Sequence, residues 1–293
     1  MDRRRLFFGA ENAVASTDFG LFGGGYVNSQ TDYMDKYTYS GDVVSAGTTL
    51  SAVKYWMGAT GNATVGIFGG GTPGNRAYTD KYTYSSDAVV AGALLGLARF
   101  ALAATGNSTV GIFGGGYYPA RNYTDKYNYS ANTVSRGTNL GVSRAYLAAT
   151  GNATFGIFGG GYNGSSRVNY TDKYTYSGNT VVSGTVLGLA RQGLAATGNA
   201  TVGIFGGGYL NTNYTDKYTY SSNTVQTGTV LLVARDYLAA TGNSIVGIFS
   251  NNGGDQSADT DKYTYSGDTV VSGTALGLGR YRMGACSATA NGL

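Results

Sequence analysis

The residues with chemistry to offer are few, and they repeat. An Asp-Lys-Tyr core begins at Asp35, Asp80, Asp125, Asp172, Asp216 and Asp261, and one basic residue follows in each period, at Lys54, Arg99, Arg144, Arg191, Arg235 and Arg280. Equal numbers of opposite charges at fixed spacing predict a ring of structural ion pairs, within or between repeat units, because a single active site needs only one copy of its residues. The chain has no histidine, which removes the usual general base, the usual zinc or copper ligand and any Ser-His triad. Its only glutamate is Glu11, so a paired-carboxylate glycosidase would need two aspartates brought together. One cysteine, Cys286, excludes an internal disulfide and a cysteine-rich metal site. No Asp-x-Asp-x-Asp-Gly calcium spacing occurs, and none of the glycine triplets runs into the Lys-Ser/Thr of a phosphate loop. The expectation is a protein without catalytic residues, metal or cofactor.

The elements that must position these charges are equally regular. A Gly-x-Phe motif, mostly followed by a glycine triplet, begins at Gly20, Gly66, Gly111, Gly156, Gly203 and Gly247, so six units recur every 44 to 47 residues. That period, with short segments and glycine punctuation, predicts propeller blades or a solenoid. Each unit divides into four strand-sized pieces: Arg99 to Thr105, Val110 to Phe113, Thr124 to Ser130 and Thr133 to Thr138 in one of them. Alternation puts Asp80, Tyr82 and Tyr84 on one strand face and Lys81 and Thr83 on the other. Gly-Asn pairs such as 61–62 and 106–107, and Asp or Asn pairs such as 86–87 and 178–179, supply tight turns. Small inner-strand residues such as Ala103-Ala104 suit the crowded wall around a central axis.

The repeat resembles the kelch motif over residues 19 to 285: an Arg-led first strand, a second strand of the Ile-Phe-Gly-Gly type and a third strand ending in Tyr. It departs in the fourth strand, where the family usually carries a Trp and this chain has Asn179-Thr180-Val181-Val182-Ser183-Gly184. The resemblance implies an all-β, six-bladed propeller of four-stranded antiparallel blades. Galactose oxidase shares this type of fold, but its copper site depends on histidines that are missing here. Residues 17–293 form one domain on this reading, with blade cores near 19–50, 55–95, 100–140, 145–186, 191–230 and 235–276. Propellers of this kind close by mixing strands from the two chain ends. Residues 280–288 repeat the first-strand pattern and are expected to enter the blade of residues 19–50, with Leu6 to Asn12 as the alternative occupant. Residues 1–16 are then an arm or degenerate strand, and Arg3, Arg4, Arg5, Leu6, Phe7 and Phe8 a docking segment.

Composition narrows the partners. The net charge of +4 is spread thinly over a chain only 12% charged, which argues against a nucleic-acid surface. No window reaches the length of a signal-peptide core or a membrane span, so a virion-associated or cytoplasmic protein without membrane insertion is expected.

The six units also form an internal alignment, and they differ in two zones. One is the spacer after the glycine triplet, which holds Tyr26, Asn28, Arg76, Tyr117, Tyr118 and Arg121 in the first three units. The later spacers hold Tyr162, Asn163, Arg167, Tyr209, Asn211, Asn251 and Asp255. The other is the pair of residues after each basic residue, from Tyr55-Trp56 to Tyr281-Arg282. In a four-stranded blade both zones emerge on one face, and a variable face rich in Tyr, Arg and Asn on rigid blades has the composition of a recognition surface. The expected partners are other proteins of an assembly, as for a phage or virus tail protein, or a surface glycan bound in one shallow site per blade, with a cytoplasmic protein-protein interaction scaffold as the further alternative.

Overall fold

The computed structural model describes residues 18–117, 119–209, 211–250 and 256–287. The arm residues Arg3, Arg4, Arg5, Leu6, Phe7 and Phe8, and Tyr118, Asn251 and Asp255, lie outside these. The second strand of each unit explains the architecture. In Val65–Gly69 every residue is buried, with Ile67 packed against one neighbouring sheet and Phe68 against the other. A strand apolar on both faces has to lie between two sheets. The third strand, Thr79–Thr83, is buried at Asp80 and Tyr82 and half-buried at Lys81 and Thr83, as its alternation predicts.

These strands build six four-stranded antiparallel sheets around an axis. One blade runs outward through Ala103–Gly106, Val110–Gly114, Thr124–Asn128 and Thr133–Arg136. The first blade is built from both chain ends: the C-terminal strand Gly284–Ser287 pairs with Phe19–Gly23, which is followed by Met34–Thr38 and Val43–Ala46. The inner position of that blade thus belongs to the C-terminal strand, as expected; the alternative occupant, Leu6 to Asn12, lies outside the described residues. Among the described residues there is no helix, and so none that is long and apolar enough to cross a membrane.

Six apolar cores lie between neighbouring blades. In one of them Ile112 and Leu140 of the third blade meet Phe158, Tyr174 and Tyr176 of the fourth. The second tyrosine of each Tyr-x-Tyr pair reaches back to the inner strand of the preceding blade. Tyr129 bonds the Thr60 hydroxyl at 3.0 Å and Tyr220 bonds Thr150 at 3.0 Å. At the closing junction Cys286 stands where the others have threonine, with its Sγ 3.8 Å from the Tyr84 hydroxyl. The outer strands cover less: Val43, Val90, Val182 and Val271 are all exposed.

One element departs from the sequence reading. The inner strand is shorter than Arg99 to Thr105, because Ala101 turns into the left-handed region at φ 55° and pairing starts only at Ala103. Trp56, Tyr146, Gly193, Tyr237 and Arg282 do the same in the other blades, with φ between 49° and 65°.

Ring closure by the C-terminal strand has a chemical reporter. Burial pushes the Cys286 thiol up to about 12, and only the thiolate alkylates. Iodoacetamide at pH 8 should therefore modify the folded chain at least about a hundredfold more slowly than the unfolded chain. Equal rates would show that this strand does not close the ring.

Candidate interaction face

Each inner strand is introduced by a buried basic residue that joins three parts of the ring. Its side chain pairs with the aspartate of its own blade: Lys54 with Asp80 at 2.7 Å, Arg99 with Asp125 at 2.6 Å, Arg191 with Asp216 at 2.8 Å, Arg235 with Asp261 at 3.2 Å and Arg280 with Asp35 at 2.6 Å. Arg144 pairs with Asp172 in the same way. The sequence left open whether the pairs form within or between units; they form within blades. Arg99 also donates to the carbonyls of Gly115 at 2.7 Å and Phe113 at 3.0 Å, so its donors are spread over strand ends that would otherwise be bare. Burial pulls the Lys54 ammonium and the Arg99, Arg144, Arg191 and Arg280 guanidiniums below their ordinary ranges, with the paired aspartates acting in opposition. It pushes the Asp172 and Asp216 carboxyls up.

The backbone carbonyl of the same basic residue takes an amide from the preceding blade, as Gly71 donates to Arg99 at 2.9 Å and Gly116 to Arg144 at 3.0 Å. This explains the glycine triplets. Gly70 and Gly71 have φ of 74° and 101°, and a Cβ on Gly70 would stand 2.7 Å from the Arg99 carbonyl oxygen. The triplet is a close backbone approach, not an anion cradle.

Two residues after each basic residue the chain closes a second, continuous ring. The amides of Trp56, Ala101, Tyr146, Gly193, Tyr237 and Arg282 each donate to the carbonyl of the equivalent residue one blade earlier, at 2.7 to 3.0 Å. This collar surrounds one mouth of the axial channel, and its left-handed backbone directs the side chains over the axis. Trp56, Tyr146 and Tyr237, from alternate blades, meet there: ring centroids lie 5.5 Å apart for Trp56 and Tyr146 and 5.9 Å for Tyr146 and Tyr237. Ala101 and Gly193 between them leave the space. Arg282 completes the set, its guanidinium 4.1 Å from the Trp56 ring centre.

Outside the collar the variable spacers form a rim, tied to it by backbone bridges such as Phe100 to Tyr117 and Ala145 to Tyr162. Together they make a basin over the axis whose wall includes Tyr117, Tyr162, Arg167, Gln192 and Tyr209. Arg167 lies 4.6 Å from the centre of the Tyr209 ring. Burial pushes the Tyr146 phenol up to about 12 and raises that of Tyr237, so both remain neutral hydroxyls at physiological pH.

Of the residues expected on this face, Tyr117, Tyr162, Arg167 and Tyr209 come together in the basin. Tyr26 stands at its edge, 5.5 Å from Tyr55 and 5.7 Å from Tyr281. Asn28 and Asn211 occupy left-handed loop positions, and Arg121 is exposed. Asn163 accepts bonds from the Ser165 and Ser166 amides at 2.9 Å and caps its own loop, and Arg76 donates to the Pro73 carbonyl at 2.8 Å away from the basin. Sequence reasoning located the second variable zone but drew no site residue from it, although Trp56, Tyr146, Gln192, Tyr237 and Arg282 all belong to that zone. The signal was their divergence at one position of an otherwise uniform unit.

No protein-family model matches the chain, and no curated protein matches it significantly. What the structure establishes is a six-bladed β-propeller.

The joints generate two predictions. Arg144→Gln should cost about 3–5 kcal/mol by leaving Asp172 charged and buried. In urea unfolding, Asp172→Asn combined with it should cost less than the sum of the two single changes; strict additivity would contradict a coupled pair. Lys54 makes only a 3.4 Å bond to a carbonyl, that of Phe68, beside its ion pair. Lys54→Arg should therefore raise stability by about 1 kcal/mol through carbonyl bonds of the kind that Arg99, Arg144 and Arg280 make, which an unchanged urea midpoint would refute.

Proposed function

We propose that the protein is a non-catalytic interaction propeller, a receptor-facing component of a larger assembly such as a phage or virus tail, built of divergent kelch-like blades. One observation carries this reading: six units that are nearly uniform in their cores and ion pairs differ where their loops converge, and there they build an asymmetric basin of aromatic and basic residues. Loops on a rigid scaffold are where recognition is placed, and tyrosine, tryptophan and arginine are the side chains that anchor interfaces. The repeated aspartates, the obvious candidates for acid-base work, are all held by buried cations, which favours a structural role for them.

Carbohydrate binding is the second reading, and the basin favours it in one site on the axis and not in a shallow site per blade. Stacked aromatic walls with a few polar groups suit sugar rings.

Mass spectrometry of purified particles from the source should find the chain as a stoichiometric component. Tyr162→Ala with Tyr209→Ala should abolish attachment to the target surface, and Ser86→Lys with Ser222→Lys, on the opposite face, should leave it intact. Detection only as a free monomer, or loss of attachment from the opposite face alone, would refute the proposal.

A further inference from the structure

We propose that the axial basin is a single binding site for a carboxylate-bearing sugar of the hexuronic or sialic acid class. This deepens the reading of the variable face as a binding face and rests on it.

Charge comes first. Six basic residues of the ring are matched one to one with buried aspartates, but the two arginines of the basin are not. Among the described residues neither Arg282 nor Arg167 has a carboxylate within ion-pair distance, and no aspartate or glutamate lines the basin, although Asp236 beside it acts on the Tyr237 phenol. Each guanidinium is laid against aromatic rings, Arg282 at 4.1 Å from Trp56 and 4.5 Å from Tyr281, and Arg167 at 4.6 Å from Tyr209. Aromatic faces orient a guanidinium without using its N–H donors, and its planar fork matches a carboxylate with two parallel bonds.

Unmet hydrogen-bonding capacity comes second. Arg282 Nε and Trp56 Nε1 are both buried with no hydrogen-bond partner. Such donors are costly to leave bare, and these two lie together, with the Arg282 guanidinium 4.1 Å from the Trp56 ring centre. A carboxylate supplies several lone pairs to a group of donors that the protein itself does not satisfy.

The remainder of the ligand is read from the rest of the wall. Tyr209, an exposed ring packed edge-on against Tyr237 at a centroid distance of 6.3 Å, supplies an aromatic wall for the C–H side of a pyranose. The Gln192 amide, which donates to the Tyr237 hydroxyl at 3.3 Å, and the neutral phenols offer partners for sugar hydroxyls. A bare anion would use the arginines and leave the aromatic wall idle. One site per chain is expected because both unpaired arginines, Arg282 of the collar and Arg167 of the rim, line the same single basin on the axis.

The chain contains a single tryptophan, Trp56, and it lies in the basin, so its fluorescence reports occupancy directly. The full chain is titrated with galacturonate, glucuronate and N-acetylneuraminate, with galactose as the neutral control. A saturable change at one site per chain is expected for at least one acid, with galactose at least about tenfold weaker. Arg282→Gln should weaken the acid at least about tenfold, and Tyr209→Ala, which stands outside the collar, should weaken it severalfold while leaving the backbone ring untouched. Equal response to galactose, or acid binding insensitive to both variants, overturns the inference. If no acidic sugar alters Trp56 while Tyr162→Ala with Tyr209→Ala abolishes attachment to the target surface, the sugar inference fails and the binding face stands. If neither the sugars nor attachment depends on these residues, both fail.

Discussion

The buried basic residue at the head of each inner strand is the joint on which the ring depends. Its side chain crosses to the aspartate of the third strand and so ties the innermost segment of the blade to a strand two places out. Its carbonyl receives the glycine amide of the preceding blade. Removing such a pair from water costs several kcal/mol per ion before their attraction is counted, and the cost is recovered only where the remaining donors find acceptors. The strand-end carbonyls provide them, as Gly115 and Phe113 do for Arg99. At Arg99, Arg144 and Arg280 the cation therefore satisfies the backbone as much as the aspartate, whereas Arg191 keeps Nε and Nη1 without partners among the described residues and reaches a single carbonyl, as Lys54 does.

Once the joints are set, the geometry of the axis follows. Six inner strands converge on a channel walled by alanine and glycine, and the chain must enter that wall through a sharp change of direction. The left-handed residue of the collar makes it. For a bulky residue this conformation is a genuine outlier that costs of order 1–3 kcal/mol, and five of the six positions are not glycine. The closed circle of backbone hydrogen bonds holds them there. At the opposite face the asparagines of the Gly-Asn turns link consecutive blades, with Asn62 donating to the Ser108 carbonyl at 2.9 Å and Asn107 to that of Ala153 at 3.2 Å. The channel is thus bound at both ends; left-handed residues occur at both, but at the invariant end they are Asp and Asn, which tolerate that region, and at the varying end they include Trp56, Tyr146 and Tyr237.

Much of this was legible in the sequence, for a physical reason. A repeated unit must satisfy the same packing constraints six times, so the equality of six aspartates and six basic residues, the alternation of the Asp-Lys-Tyr strand and the sixth first-strand pattern at residues 280–288, which follows the last complete unit, all point to structure. Which aspartate each arginine meets was not legible, because a period of about 45 residues repeats both partners alike and spacing cannot tell one blade from the next. The collar was hidden for a different reason. A left-handed tryptophan or tyrosine has no local signature, whereas the left-handed Asp87 and Asn132 of the outer turns were announced by residue types that favour that region. Reading Arg99 to Thr105 as a strand was the consequence.

The same hidden positions carry the asymmetry. Six large side chains cannot share one axis, and the collar relieves the crowding with Ala101 between Trp56 and Tyr146 and Gly193 between Tyr146 and Tyr237, while Arg282 lies over the Trp56 ring. Each collar residue contributes its backbone to the ring whatever its side chain is, so the scaffold is indifferent to substitutions that decide what the basin presents. The third strand is constrained in the opposite way, because there the side chain is the structural element and Asp and Tyr recur unchanged. A propeller that separates these two kinds of position can alter its binding surface without reopening its core. That separation is why the residues with the plainest chemistry, the six aspartates, are structural, while the basin is built from residues that no motif marks.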